Sequence, residues 1–246
     1  MEDYGQDTYG ERIAPIYDDL YADLFDVDGA TRFLTPLGSG GALEFGIGTG
    51  RIALPLAAAG VEVVGIDTSR QMVDRLRAKP GGAALEVLMG DFSEVEVGRD
   101  FSLVYLLFNT IFGLPDQEAQ VRSFANAARH LTSDGVFVIE AFVPDGGRFD
   151  RGQRLSTTNV GPDLIDLEAS RHDPVAQRVE SQHAIVRSSG IELYPVVIRY
   201  AYPPELDLMA RLTGLRLRER WANWNKDAFT SDSAFHISVY ERDHIA

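Results

Sequence analysis

Predominantly apolar runs alternate with amphipathic ones through the first 145 residues of the chain. Ala42–Phe45, Val61–Ile66, Leu85–Met89, Phe101–Phe108 and Val136–Ala141 have the composition of strands, and Phe101–Phe108 is nearly all apolar, as a strand buried on both faces should be. Between them Arg51–Ala59, Ser69–Ala78 and Asp116–Leu131 carry helical periodicity. Gly60, the run Lys79-Pro80-Gly81-Gly82 and Ser133-Asp134-Gly135 mark the breaks and turns. Strands alternating with helices predict an α/β fold, a mostly parallel sheet with helices on both faces. Ligands then bind beyond the carboxyl ends of the strands.

The two flanks read differently. From Tyr9 to Phe25, the residues Ile13, Ile16, Tyr17, Leu20, Tyr21 and Leu24 recur at helical steps, with Pro15 imposing a kink or a split. Leu37-Gly38-Ser39-Gly40-Gly41 reads as a linker into the first strand. After Pro144 the helical period disappears. Leu164–Ala169, Arg178–Arg187 and Ile191–Tyr200 read as antiparallel strands, the last two joined by a turn at Ser188-Ser189-Gly190. Pro204–Leu212 is a helix, started by the Pro203-Pro204 pair and stopped by Gly214; Leu215–Trp221 and Ala234–Glu241 form a closing hairpin. The expected division is a helical lid over 1–40, a nucleotide-binding core over 41–145, an antiparallel cap over 146–202 and a C-terminal segment over 203–246 that completes the core sheet.

The most informative stretch is Leu43-Glu44-Phe45-Gly46-Ile47-Gly48-Thr49-Gly50. An acid precedes three glycines at alternate positions, between a strand and a helix. Glycine lets the backbone turn with φ > 0 and lets a ligand approach bare main chain. Dinucleotide folds space these glycines as G-x-G-x-x-G and need no leading acid. The spacing here resembles the first motif of the class I S-adenosylmethionine (SAM)-dependent methyltransferases. That resemblance implies a Rossmann-like fold with a seven-stranded, mostly parallel sheet, SAM as cofactor and S-adenosylhomocysteine as product. Glu44 and the backbone of Gly46, Gly48 and Gly50 are then expected to hold the amino-acid end of SAM.

Further stations follow in order. Asp67, at the tip of the second strand, can accept hydrogen bonds from both ribose hydroxyls; capping the next helix is the competing role, but Ser69 caps as well. After the third strand comes Gly90-Asp91-Phe92, where the resemblance implies an acid on the adenine amino group and an apolar residue on the ring. Met72 and Ile66 are candidate walls of that slot, or core. The resemblance extends the cofactor contacts to Arg51, Thr68, Gly90 and, through its backbone, Phe108. Beyond the fourth strand, Asn109 and Phe112 are the candidates to face the acceptor.

The tyrosines Tyr9, Tyr17 and Tyr21 resemble the lid helix of small-molecule methyltransferases from actinobacterial natural-product pathways, including aminosugar and lincosamide N-methyltransferases. The resemblance implies that Tyr9 and Tyr17 close over SAM and line the acceptor pocket, whereas Tyr21 is expected to be packing. A tyrosine face beside a sulfonium offers cation–π stabilisation. Glu140 could hold a cationic amine. His172 or His183 could serve as a base, a surface position being the alternative. His130 reads as structural at a helix C-terminus, and Trp221 and Trp224 as packing. Asp145 could begin a metal cluster, but no partner motif follows and no metal is expected.

Composition narrows the function classes. With 246 residues and 45% hydrophobic content the chain suits one α/β domain with an insertion. It has no cysteine, so disulfides, thiolate metal sites and a cysteine nucleophile are excluded. A net charge of −14 opposes nucleic-acid and anionic-membrane partners, although arginines gather between Arg211 and Arg220; a solvated helix face and strand edge is the plainer account of those. The acidic Met1-Glu2-Asp3-Tyr4 start has neither a basic region nor an apolar signal core, so a cytoplasmic enzyme is expected. The readings are a methyltransferase on a small natural-product acceptor, at nitrogen or else at oxygen; a non-catalytic SAM-binding or assembly subunit; and an NAD oxidoreductase, opposed by the glycine spacing and the absence of a Tyr-x-x-x-Lys pair. The partners expected are a small-molecule acceptor and further copies of the chain, in a homo-oligomer.

Overall fold

The structure, a computed structural model, describes residues 4–5, 7–21 and 24–243. Its helices are α1 (Thr8–Ile13), α2 (Tyr17–Leu20), α3 (Val27–Leu34), α4 (Ala53–Ala58), α5 (Arg70–Ala78), α6 (Gln117–His130) and α7 (Pro203–Leu212). Its strands are β1 (Ala42–Phe45), β2 (Val63–Asp67), β3 (Glu86–Met89), β4 (Phe101–Leu106), β5 (Leu131–Phe142), β6 (Gln153–Val160), β7 (Leu164–Asp173), β8 (Arg178–Arg187), β9 (Gly190–Arg199), β10 (Leu215–Trp221) and β11 (Phe235–Arg242).

One sheet has seven strands in the order β10-β11-β5-β4-β1-β2-β3. The run from β5 to β3 is parallel, and β11 inserts antiparallel beside β5. This is the seven-stranded, mostly parallel sheet expected. β1 and β2 are buried throughout. The order reverses at β1, where β2 lies on one side and β4 on the other, and a crevice opens beyond the carboxyl ends at such a switch point. The second sheet is a four-stranded antiparallel meander, β6-β7-β8-β9. α1 packs on β9 and on α5, so the N-terminal helices and the meander meet above the crevice.

Several boundaries differ from expectation. The segment Tyr9–Phe25 splits at Pro15 into α1 and α2, and residues 22–23 of it lie outside the described residues, as do 1–3. Helix α3 was not anticipated: Gly29 inside it hid an amphipathic face built from Ala30, Phe33 and Leu34. Its start is capped by Asp26, which accepts the Gly29 amide at 2.8 Å. The expected linker opens with a 3₁₀ turn, Thr35–Gly38. Ser133-Asp134-Gly135 is not a turn but part of β5, whose pairing with β4 shifts register between Phe101 and Leu103. Strand β6 was also missed; its alternation is mostly polar because it is an exposed edge.

Candidate functional site

At the end of β1 the chain turns through Gly46, Gly48 and Gly50, all with positive φ. The amides of Gly46 and Ile47 both donate to the Ile66 carbonyl, at 2.8 and 3.1 Å, which binds the loop to the end of β2. Asp67 completes the fastening: its Oδ2 accepts the Gly48 amide at 2.7 Å and its Oδ1 the Ser69 amide at 2.8 Å. Ser69 caps α5 by accepting the Met72 amide, as expected. Asp67 is therefore not free of protein partners, but its backbone donors leave acceptor capacity on a carboxylate with about four acceptor sites. Burial raises its pKa, against the donors from Ser69, Gly48 and Thr68.

Above this loop lies a cavity of about 370 Å³. Its wall brings together Tyr9, Tyr17, Gly46, Gly48, Asp67, Thr68, Met72, Asp91, Phe92, Phe108 and Asn109 from the sequence-derived set. A Cβ on Gly48 would meet no protein atom closer than 3.9 Å, the opening that a ligand against main chain requires. Phe92 stacks on Phe45 at 5.4 Å between centroids. Asp91 accepts the Ser93 amide at 2.8 Å. Phe108 and Asn109 are consecutive residues with φ of 56° and 64°. Backbone of this kind costs roughly 1–3 kcal/mol per residue and persists where surrounding contacts impose it. Here the Asn109 Oδ1 accepts the Phe142 amide at 2.7 Å and locks β4 to β5.

Five of the expected contacts lie off the wall. Glu44 is beneath the loop: it pairs with Tyr105 across β1 and β4, accepts the Tyr105 hydroxyl at 2.8 Å and is hydrogen-bonded by the Ala53 amide at the start of α4. Gly50 is a packing glycine, since a Cβ there would come within 2.2 Å of Leu76 Cδ1. Gly90 turns the chain with φ +148° against Val95. Phe112 is fully buried, edge-to-face with Phe142 at 4.9 Å, because the 3₁₀ turn after Asn109 rotates it into the core. Phe142 takes the place on the wall expected of Phe112. Arg51 sits one layer behind, its guanidinium carbon 4.8 to 5.9 Å from the ring centres of Tyr17, Tyr21, Phe25 and Phe108. One of its nitrogens, Nη2, is buried with no hydrogen-bond partner among the described residues.

The lid is held by polar latches. Tyr9 donates to the Tyr21 hydroxyl at 2.8 Å, and Arg51 donates to the Tyr21 carbonyl at 2.8 Å. Tyr21, expected as packing, stands on the wall with Tyr17. Burial pushes the Tyr17 hydroxyl up to about 12. Glu11 accepts the Ser69 hydroxyl and the Gln71 amide, and Gly10 leaves the room for that approach, since a Cβ on it would come 2.6 Å from Ser69. Asp18 accepts the Thr49 hydroxyl and pairs with Lys79, each at 2.7 Å.

The other polar candidates separate cleanly. Glu140 is committed to structure: it accepts the Phe108 amide and the Trp224 indole N–H. Asp145 caps a 3₁₀ turn through the Gly147 amide. His130 accepts the Val97 amide at Nε2 and faces the Asn126 carbonyl with Nδ1, which assigns the proton to Nδ1. His236 is fully buried, and burial pushes its pKa down to about 3. His172 bonds Tyr200 away from this cavity, whereas His183 lines it. Arg216 and Arg218 pair with Glu241 and Arg220 with Asp207. Sequence reasoning missed Phe25, Phe142, Arg148, Glu168 and Ser181 on the wall. The alternation of Asp166, Glu168 and Ser170 along β7 was the available signal for the polar part.

A family model for methyltransferase domains matches residues 42–135. The solved CcbJ methyltransferase of Streptomyces caelestis is 38% identical and superposes with a TM-score of 0.92, covering 97% of this chain and 99% of that one. The chain is a SAM-dependent methyltransferase. The cypemycin N-terminal methyltransferase of a Streptomyces species is 27% identical over 241 residues, 96% of this chain and 98% of its own length. A SAM-dependent methyltransferase from Clostridium acetobutylicum shares the fold at 14% identity, with a TM-score of 0.80 over 94% of this chain and 97% of that one. SAM is thus the cofactor of this enzyme. Among the described residues no helix is long and apolar enough to cross a membrane.

Proposed function

We propose that this methyltransferase alkylates the nitrogen of a small amine acceptor and that both substrates occupy the cavity above the glycine loop. The observation that carries the reading is the continuity of that cavity, from Gly46, Gly48 and Asp67 at its floor to Glu168 and His183 at its roof. An anionic side chain in a tyrosine-lined pocket suits a cationic amine, and the cypemycin relative acts, by its name, at an N-terminus.

The residues fit the cofactor. Gly48 offers open space over bare main chain, Asp67 keeps lone pairs for the ribose, and Asp91, Phe92 and Met72 border the place for adenine. Arg51, one layer behind Tyr17, adds positive charge behind that part of the wall without lining the cavity. SAM supplies a methyl group already activated on a sulfonium, open to in-line displacement. The protein's part is to align the acceptor, exclude water and receive the acceptor's proton. Tyr9, Tyr17 and Tyr21 exclude water from above, and Asn109 and Phe142 border the acceptor side. In this reading 1–40 and 146–202 are the cap over the core. Glu44, off the wall, shapes the loop through the start of α4 instead of touching ligand.

The test is isothermal titration with SAM, S-adenosylhomocysteine and NAD, followed by mass spectrometry of reactions with secondary amines and with phenols. Binding of the first two alone and methylated amines are expected. NAD binding would overturn the cofactor site, and methylation of phenols alone would overturn the acceptor.

A further inference from the structure

The roof of the cavity is the inner face of the meander, where Glu168, Ser181 and His183 of β7 and β8 form a polar patch beside Val179 and Val197. Antiparallel pairing sets Glu168 opposite His183 and Ser170 opposite Ser181. Glu168 Oε1 accepts the hydroxyls of Ser170 and Ser181 at 3.0 and 2.8 Å. Burial alone would raise its pKa, but the two serine donors, with His183 and Arg148 nearby, outweigh burial and lower it, so the carboxylate stays ionised. Its Oε2 accepts no hydrogen bond among the described residues and the side chain lines the cavity.

Behind this pair lies Asp166, 4% exposed. Its Oδ1 stands 3.7 Å from His183 Nδ1, and both atoms are buried with no hydrogen-bond partner among the described residues. That separation is too long for a hydrogen bond. An unpaired buried polar group costs about 1–3 kcal/mol, more when charged. The separation is within ion-pair range, so Asp166 is placed to face any positive charge on the imidazole. His183 Nε2 is the nitrogen left for a ligand in the cavity.

We propose that Glu168 anchors the acceptor as its ammonium ion and that His183, positioned by Asp166, takes the proton the nitrogen must lose; this rests on the amine reading above. The N–H bond of the ammonium breaks and a new N–H bond forms at His183 Nε2. The electron pair stays on the acceptor nitrogen as the lone pair that attacks the methyl group. The imidazolium charge faces Asp166 until the proton passes to water. Glu168 and His183 touch the acceptor in this scheme, and Asp166 is a positioning residue. The other titratable or charged groups on this side are Arg154, set opposite Ser170 on β6, Tyr194, set opposite His183 on β9, Tyr21 of the lid and Arg148.

Two measurements test it. The first titrates the S-adenosylhomocysteine-loaded protein with choline and with its uncharged isostere 3,3-dimethylbutan-1-ol. Wild type is expected to prefer choline by about tenfold or more, the attraction of a partly buried carboxylate for a cation that has no N–H to donate. Glu168→Gln should lose that preference with S-adenosylhomocysteine affinity intact, and Glu168→Asp should regain part of it. Absence of the preference in wild type, or its survival in Glu168→Gln, overturns the anchor. The second follows N-methylation of piperidine against pH. His183→Gln should lower kcat about a hundredfold near neutrality, a usual share for a general base, with the loss shrinking as pH rises toward the pKa of piperidinium and with 4-methylimidazole restoring part of it. Asp166→Asn should shift the same profile. Unchanged profiles overturn the proton role. A wild type that methylates phenols and no secondary amine overturns the amine reading and the proton role with it, and the choline titration still decides the anchor independently.

Discussion

Asp67 Oδ2 accepts the Gly48 amide at 2.7 Å, so the carboxylate proposed for the ribose also fastens the loop proposed for the methionine end. Melting and titration read the two roles apart. Asp67→Asn keeps one carbonyl acceptor, so either the Gly48 or the Ser69 amide loses its partner, and the charge that strengthens bonds from two hydroxyls is gone. Hydrogen bonds to charged groups are worth about 1.5–3 kcal/mol, so the SAM Kd should rise at least about tenfold, and Tm should fall modestly for the backbone amide left unpaired. Calorimetric titration decides; unaltered SAM affinity would leave Asp67 as a fastening alone.

The glycines of one motif should respond in opposite ways. Gly48→Val places a side chain where no protein atom stands within 3.9 Å, on the wall of the cavity. SAM binding should be lost, and at φ +54° the side chain also costs about 1–2 kcal/mol of left-handed strain, so binding is read well below the variant's Tm. Gly50→Ala instead drives a methyl to 2.2 Å from Leu76 Cδ1 at φ +77°. Overpacking costs about 1–3 kcal/mol and left-handed backbone about 1–2 kcal/mol more, so Tm should fall while residual folded protein still binds SAM. Circular dichroism melts beside titrations read both variants, and a stable Gly50→Ala with weak SAM binding would reverse the assignment.

How much of this was legible beforehand depended on what each residue had to do alone. Strand–glycine–helix order, Ser69 as a cap and Asp67 at the tip of β2 are local, and they read directly from spacing. Glu44 and Phe112 misled because sequence position places a residue at the mouth of the sheet without saying which way it points. Register with Tyr105 turns Glu44 under the loop, and a 3₁₀ turn buries Phe112. Gly50 and Gly48 look alike in sequence, and only the approach of α5 through Leu76 distinguishes them. The roof formed by Glu168 and His183 depends on pairing between strands 15 residues apart along the chain, which alternation in β7 suggests but cannot aim at a ligand.

The lid latch should govern cofactor release. Asp18 on α2 accepts the Thr49 hydroxyl and pairs with Lys79, which also donates to the Thr49 carbonyl at 2.9 Å. The ion pair is partly exposed, with side chains 30% and 37% accessible, so its share is modest, about 0.5–1 kcal/mol. With the hydroxyl bond added, Asp18→Asn should speed SAM release about three- to tenfold and increase hydrogen exchange in α1 and α2. Lys79→Met should have a smaller effect, and the double variant should cost less than the sum, since the three groups form one network. Stopped-flow release at the wild-type rate would show that the lid closes without this latch.

Glu44 gives the protein a stability that falls with rising pH. Burial pushes its pKa up to about 8, opposed by the Tyr105 hydroxyl and the Ala53 amide and assisted by Asp67. The unfolded carboxyl titrates near 4.5. Between those values the folded state binds more protons than the unfolded state, so stability is fully present below about 4.5 and is lost as pH rises to about 8. Each pKa unit corresponds to about 1.4 kcal/mol, which makes the loss several kcal/mol at most. Glu44→Gln holds the neutral form permanently and keeps an acceptor for the Tyr105 hydroxyl. It should therefore match wild type near pH 5 and exceed it at pH 8, reversing the usual cost of altering a motif residue. Urea titrations of the SAM-free protein across that range measure the difference; parallel curves for the two proteins would mean that the buried carboxylate finds compensation on ionising.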